Sequence, residues 1–280
     1  MSPPQGAAGR LVVCPTPIGN LEDVTLRVLR ALREADLVAC EDTRRTRTLL
    51  DRHAIRARLV SFHEHNEDAR AAELVERMRG GSVVALVADA GTPLVADPGF
   101  ALLAAALRAA IAVEVLPGPS AVLTALVASG LPADRWRFVG FLPRARAALL
   151  AIVLGARETL VAFESPRRLA ATLELLAEHD PARALAVCRE LTKLHEDVRR
   201  GSAEELARHF AAQPARGEIV LVIGAAEPAP ADELARAQAV RALEAVIAAG
   251  ARPRAAATAL AKLTGFGANE LYRGLTRKGG

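Results

Sequence analysis

The sequence predicts an α/β protein: two α/β domains followed by a short helical extension. Three observations carry that prediction. Short aliphatic runs end repeatedly in polar loops containing Pro and Gly, helical periodicity follows those loops, and aromatic residues make up only 3% of the 280-residue chain. A strand that hands over to a loop and then to a helix is the repeating unit of a parallel sheet. The shortage of aromatics favours helices packed closely on aliphatic strands over an aromatic-rich β-sandwich. With 51% apolar and 24% charged residues, the chain can bury a core, and its net charge of +4 is too small to keep it unfolded. Its length exceeds the usual single domain, which points to two compact units.

Taken in order, residues 11–14 form the first strand, 15–20 (PTPIGN) a turn-rich loop, and 21–35 a helix with Leu26, Leu29 and Leu32 on one side. Residues 37–40 and 83–87 are further strands, ending abruptly at Glu41-Asp42 and at Asp89-Ala90-Gly91-Thr92-Pro93. Residues 113–116 run into PGPS, where Ser120 is placed to cap a helix extending through Ser129. These four units make a first domain, 11–130, after a flexible N-terminus, 1–10. Residues 130–143, which hold Trp136, read as the bridge between domains. The second domain, 131–226, alternates strands 159–163, 184–188 and 218–223 with helices 167–178 and 203–210. Residues 226–230 read as a linker. The tail, 227–280, carries helices over 232–250, 254–263 and 269–275 and ends in Thr276-Arg277-Lys278.

Several function classes fall away. Cys14, Cys40 and Cys188 are odd in number and far apart without metal-ligand spacing, so they read as buried, reduced thiols. The first ten residues lack the basic-then-apolar pattern of a secretion signal. The most apolar stretch, 101–116, is broken by Arg108 and Glu114 and is shorter than the roughly 20 residues that span a bilayer. A cytoplasmic protein with no membrane partner is expected. Only Lys193, Lys262 and Lys278 are lysines, so arginine dominates the positive charge. Arginine suits bidentate phosphate recognition, and GC-biased codons would enrich it as well.

In an open parallel sheet, ligands bind beyond the carboxyl ends of the strands, so the loops after Cys14, Cys40, Val87 and Leu116 should converge on one crevice. The first is not a dinucleotide loop. PTPIG has one glycine and two prolines and cannot bring its backbone onto a pyrophosphate as GxGxxG does, although Glu41 and Asp42 follow at roughly the spacing of a ribose-binding acid. Loop 89–99 (DAGTPLVADPG) wraps two Pro/Gly turns around two carboxylates; it serves equally as a structural β-to-α turn or as a rigid presenter of amides to a ligand. Ser120-Ala121 offers the same choice between a helix cap and room for a cofactor. In FHEHNE (62–67), His63 and His65 share a side if the segment is extended, which raises a metal site. No third ligand is evident, a proton-handling role or a solvated polar loop fits as well, and no metal is expected. Arg44, Arg45 and Arg47 form either a solvated helix face or a phosphate clamp behind Glu41-Asp42. ESPRR (164–168) and RELTKLHE (189–196) place charged groups just past apolar strands, as surface ion pairs or as crevice groups.

The segments TPIGNLEDVTLRVL, CEDTRRTRTLL, FHEHNE, LVADAGTPLVADPG, LPGPSAVLTAL, FVGFLP, ESPRRL, RELTKLHEDVRRG and GEIVLVI follow one another from about Leu11 to Ile223. In this order and spacing the chain resembles the small-subunit rRNA (cytidine-2′-O)-methyltransferase I family of the tetrapyrrole methylase superfamily. The resemblance implies two α/β domains of the tetrapyrrole methylase type (class III methyltransferase), with S-adenosylmethionine folded into the cleft between them. It also implies a homodimer, and a decoding-region cytidine of 16S rRNA in the small ribosomal subunit as substrate. By motif, it implies cofactor contacts at Ile18, Gly19, Ala90, Gly91, Thr92, Pro93, Val95, Ser120, Ala121, Phe163 and Glu218. Arg167 stands where relatives often have His, and Ala162 replaces a common aromatic.

Methyl transfer to a ribose 2′-oxygen is an in-line displacement at a sulfonium carbon, so the protein must mainly align oxygen, methyl and sulfur. The hydroxyl is a weak nucleophile, and a nearby base would take its proton during attack. That base is expected among Glu41, Asp42, His63, Glu190 and Lys193, and the RNA backbone is expected to meet Arg44, Arg45, Arg47 and the basic tail. Two other readings stay open. One is a tetrapyrrole (precorrin/uroporphyrinogen) C-methyltransferase, against which the Arg-rich second loop argues; the other is a non-catalytic RNA-binding ribosome-assembly factor on the same fold.

Overall fold

Alternation along β1 (Arg10–Cys14) sends Leu11 and Val13 to one face of the first sheet and Val12 and Cys14 to the other. The computed structural model describes residues 9–63, 66–226 and 230–276. Around β1 stand β2 (Leu37–Cys40), β3 (Leu59–Ser61), β4 (Val83–Val87) and β5 (Ala112–Val115), in the order β3-β2-β4-β1-β5. All four pairings are parallel. Helices α1 (Leu26–Glu34) and α2 (Thr43–Arg52) bury Leu29, Leu32, Leu49 and Leu50 against the Val12 face. Helices α3 (Glu67–Arg79) and α4 (Phe100–Arg108) bury Leu74, Met78, Leu102 and Ala106 against the Leu11 face. Burying one such side chain contributes about 1.5–3 kcal/mol, so both faces resist separation. Cys14, Cys40 and Cys188 are buried free thiols.

The structure departs from the sequence expectation at several places. The single helix over 21–35 is a 3-10 turn at Leu21–Asp23 followed by α1, because two caps compete within five residues. Asn20 Oδ1 accepts from Glu22 N, and Thr25 Oγ1 accepts from Val28 N, leaving Val24 and Thr25 extended between them. Arg10 opens β1 rather than belonging to a flexible terminus. The remainder of that expectation, residues 1–8, lies outside the described residues, as do His65, linker residues 227–229, Arg277 and Lys278.

Helix α5 (Ala121–Ser129) follows the first sheet in sequence but turns Val122, Ala125 and Leu126 onto the second. That sheet contains β6 (Trp136–Phe141), β7 (Thr159–Glu164), β8 (Ala184–Arg189), β9 (Asp197–Ser202) and β10 (Ile219–Ile223), ordered β6-β7-β10-β8-β9. Only β6 and β7 run parallel; the other pairs are antiparallel. Helices α6 (Arg146–Val153), α7 (Pro166–His179) and α8 (Ala203–Ala212) bury Leu149, Leu169, Leu173, Leu206 and Phe210 against it. The segment read as a bridge therefore supplies an edge strand, β6, whose register shifts between Phe138 and Phe141, where Gly140 adopts a φ of +67°. Strand β9 (DVRRGS) lacks an apolar alternation because it is the opposite edge, with Arg199 and Arg200 exposed.

Both sheets belong to one compact unit ending at Ala225, and residues 226–280 form another. The latter contains α9 (Pro230–Ala248), α10 (Pro253–Thr264) and α11 (Ala268–Thr276) around Leu243, Ala257 and Leu271. No helix among the described residues is long and apolar enough to cross a membrane.

Candidate functional site

The carboxyl ends of β1, β2 and β4 and the loop entering α5 meet the ends of β7, β8 and β10 around a cavity of about 450 Å³, a size typical of small-molecule sites. Three first-sheet loops are stapled together. Thr16 and Gly91 exchange two backbone hydrogen bonds of 2.9 Å, Thr16 Oγ1 donates to Ala88 O, and Thr92 Oγ1 donates to Pro119 O at 3.2 Å. The closest approach is at Gly118, where a Cβ would sit 2.6 Å from Pro15 Cβ; Gly91, at φ +80°, takes a backbone conformation that favours glycine. Beyond it, Leu94 and Ala96 are held at φ +71° and +65°, a conformation non-glycine residues adopt only under tertiary constraint.

Ile18, Ala90, Gly91, Thr92, Val95, Ser120, Ala121, Phe163 and Glu218 line the cavity. Ser120 also caps α5, its side chain accepting from Leu123 N, so cap and wall are the same residue. Gly19 and Pro93 do not line it. Pro93 is buried behind the loop. Gly19 lies against the second sheet's β8–β9 loop, where a Cβ would meet Lys193 Cγ at 2.5 Å and Thr192 Oγ1 at 2.7 Å. Asn20 N donates to that Thr192 hydroxyl at 3.0 Å, so the first loop is a junction between the sheets.

Of the five proton-acceptor candidates, Glu41 alone lines the cavity. Asp42 caps α2 and accepts from Arg44 N, Nε and Nη2; these bonds hold its carboxyl down at about 2. His63 is off the wall: its backbone N–H donates to Asn66 Oδ1, and its ring Nε2 is 3.1 Å from Asn66 Nδ2. Glu190 and Lys193 form a cluster at the cavity edge with Glu218. Lys193 Nζ reaches Glu190 Oε1 at 3.0 Å and Glu218 Oε2 at 3.1 Å, while Glu218 N donates to Glu190 Oε1 at 2.8 Å. Burial alone would lower the Lys193 ammonium, but its hydrogen bonds to the two carboxylates outweigh that and leave its pKa raised, so it holds its proton at neutral pH. Glu190 is lowered first by the Glu218 amide and then by Lys193. Gly217, at φ +82°, makes room for this cluster, because a Cβ would fall 2.4 Å from Glu190 Oε1.

Two carboxylates to which the sequence assigned no role also face the cavity, although loop 89–99 contains both. Asp89 Oδ1 accepts from Asp42 N at 2.9 Å and its Oδ2 lies 3.6 Å from Arg45 Nε. Asp97 is pushed up to about 6, first by burial and then by the charges of Glu41 and Asp89. The ESPRR segment proves to be a brace. Glu164, fully buried, accepts from Ser165 N and Thr172 Oγ1, and Arg168 Nη2 joins it at 3.2 Å while donating to Leu142 O and Pro143 O at 2.9 Å. That brace backs Phe163 and Phe141, whose rings are 5.4 Å apart on the cavity wall. Arg45 lines the cavity, and Arg44 and Arg47 are exposed beside it on α2. Among the described residues, no cluster of three or more His, Cys, Asp or Glu has a metal-holding arrangement.

A family model described as tetrapyrrole (corrin/porphyrin) methylases matches residues 10–207. The chain is similar to a ribosomal RNA small subunit methyltransferase I of Mesorhizobium japonicum, with 47% identity covering 95% of this chain and 90% of that protein. It is 42% identical to the Thermotoga maritima protein of the same name, over 78% of this chain and 100% of that one. Among solved structures it is similar to uroporphyrin-III C-methyltransferase from Thermus thermophilus, with 27% identity, a TM-score of 0.56, and coverage of 78% of this chain and 94% of that one.

Proposed function

We propose the reaction from one premise: the chain belongs to the tetrapyrrole methylase family and, within it, to the ribosomal RNA small subunit methyltransferase I proteins. It is a methyltransferase that uses S-adenosylmethionine, and its substrate is small-subunit ribosomal RNA. The finer reading is transfer to the 2′-hydroxyl of a cytidine in the decoding region of 16S rRNA. The observation that carries it is the cavity, a preformed pocket walled by strand tips of both sheets and by Arg45 of α2.

S-adenosylmethionine supplies a methyl group on a positively charged sulfur. The residues present fit such a molecule: the stapled turns leave room where Gly91 has no Cβ, Ile18, Val122 and Phe163 offer apolar contact, and Thr92 and Ser120 offer polar groups. Ile18, Ala90, Gly91, Thr92, Val95, Ser120, Ala121, Phe163 and Glu218 would hold it, with Gly19 and Pro93 shaping the loops behind. Arg45, flanked by Arg44 and Arg47, would take the phosphates of the RNA and set the ribose at the mouth. Rigid walls then align the hydroxyl and keep competing water out. Homodimerisation and a cytoplasmic location belong to the same reading. Leu123 and Val127, one turn apart on α5, and Val115 on edge strand β5 expose apolar side chains suited to a second copy, and sedimentation velocity should give twice the monomer mass.

The test is incubation with methyl-labelled S-adenosylmethionine and, separately, unmodified small subunits, naked rRNA and a precorrin. Label should enter the ribose of one cytidine. Label in the precorrin alone, or no label with undetectable donor binding by calorimetry, overturns the reading.

A further inference from the structure

We propose that Phe141 is the stacking platform for the base of the target nucleotide; this rests on the cavity being the place where RNA receives the methyl group. Phe100 and Phe141 are the exposed phenylalanines among the described residues, and of the two only Phe141 lines the cavity. Its ring is 64% exposed, although it stands 5.4 Å from Phe163, which in turn meets Phe138 edge-on at 5.0 Å. The ring is thus backed by aromatics on one side and bare elsewhere. Single exposed apolar side chains are common on protein surfaces and need no ligand. Phe141 differs because the backbone is distorted to present it. Strand β6 pairs Phe138 with Val161 and Phe141 with Phe163, three steps along one strand against two along the other. In a regular ladder residues three apart point to opposite faces; the extra residue returns Phe141 to the face of Phe138 and Phe163. The irregularity falls at Gly140, whose φ is +67°. A Cβ there would meet no atom within 4 Å, so glycine serves the backbone angle and not a crowded contact.

A ribose hydroxyl reaches a sulfonium carbon held between two sheets only if its nucleotide leaves the stack of neighbouring bases. The stacking it loses must be replaced, and an aromatic face does this for any base. Phosphate contacts cannot, because they hold the backbone and leave the base free. The cavity offers the two functions on different walls: Arg45 of α2 on the first-sheet side and Phe141 of β6 on the second. A nucleotide whose phosphate meets Arg45 and whose base lies on Phe141 has its ribose between them, over the cavity. Phe163, the less exposed of the paired rings, remains for the donor. Stacking does not distinguish cytosine from another base, so Phe141 sets how well the nucleotide is held open and not which one is chosen.

The test uses small subunits reconstituted with 16S rRNA that carries either cytidine or an abasic ribose at the methylated position, in single turnovers with saturating S-adenosylmethionine. For the parent, loss of the base should lower the second-order rate constant of transfer by roughly 10–100-fold, the share that one stacked base contributes. Phe141→Leu should lose the same factor on the cytidine subunits and show no further loss on the abasic ones. Phe141→Trp, which keeps an aromatic face, should stay close to the parent on both. Donor affinity in calorimetry and melting temperature should match the parent's in both variants, whereas a role in the fold or in donor binding would change them. A parental rate in Phe141→Leu, or an equal further loss on the abasic subunits, overturns the proposal. Weakened donor binding in Phe141→Leu overturns it as well, by making the ring part of the donor site. Each of these results leaves the function standing; a parent that labels no RNA overturns both.

Discussion

Arg168→Ala tests whether the second-sheet wall of the cavity is held by one buried brace. The substitution removes the guanidinium paired with the Glu164 carboxylate, which has 0% side-chain exposure, together with the donor to Leu142 O and Pro143 O. Stripping one partner from a fully buried ion pair costs about 3–5 kcal/mol. Here the cost is smaller, because Arg168 is itself 30% exposed and Ser165 N and Thr172 Oγ1 remain on Glu164. About 2–4 kcal/mol is expected, which for a chain of this size lowers Tm by about 5–12 °C. Differential scanning calorimetry reads that change. Glu164→Gln in the same chain should recover part of the loss, since an uncharged amide tolerates the missing partner better. Donor affinity should weaken as well, because the freed carbonyls follow Phe141 and the acid follows Phe163. A melting temperature and donor affinity both equal to the parent's would show that the brace does not support the wall.

The remaining predictions follow the same logic. Gly217→Ala puts a Cβ at φ +82° into the Glu190 carboxylate and should cost about 1–3 kcal/mol in urea unfolding while weakening donor binding, because Gly217 and Glu218 line the cavity. Replacing Arg44 and Arg47 by alanine should reduce the salt dependence of rRNA binding by about 1 in log–log slope for each phosphate no longer neutralised, with donor affinity unchanged; an unaltered slope removes α2 from the RNA interface. Asp97 has a folded pKa of about 6, above its ordinary 3.8. Its contribution to stability is therefore fully present below pH 3.8 and is lost as pH rises through about 6. Asp97→Asn should stabilise the protein at pH 7.5 by at most about 3 kcal/mol, at about 1.4 kcal/mol for each tenfold in proton affinity, with the gain gone near pH 4. A gain of equal size at both pH values would remove the carboxyl as its source.

Strands β1, β2 and β4 of the first sheet were legible in the sequence because each holds an aliphatic run buried on both faces, ended by a loop whose chemistry cannot continue a strand. Strand β3 escaped because three residues carry no periodicity, and β9 because an edge strand with Arg199 and Arg200 outward has nothing apolar to alternate. Strand β6 was hidden by Gly140, which reads as a turn yet serves as the irregularity that re-registers Phe141 onto the wall. For the site, motif order identified the loops, and rigid Pro/Gly turns explain why those loops line a cavity. Which side chain in a loop faces inward was not legible. Gly19 and Pro93 look as ligand-like as Gly91 until packing assigns them elsewhere, and the two acids of loop 89–99 acquire different environments only from Asp42, Arg45 and Glu41, none of them sequence neighbours. Lys193 shows the converse: a lysine past a strand suggests a base, but its two carboxylate partners keep it an ammonium.

A crystal structure of the protein with S-adenosylhomocysteine measures the central claim most directly. The account predicts the ligand between the two sheets, touching the turns at Gly91-Thr92 and Ser120-Ala121 on one side and Phe163 on the other. Ordered ligand at any other place on the chain, with this cavity empty, would contradict it.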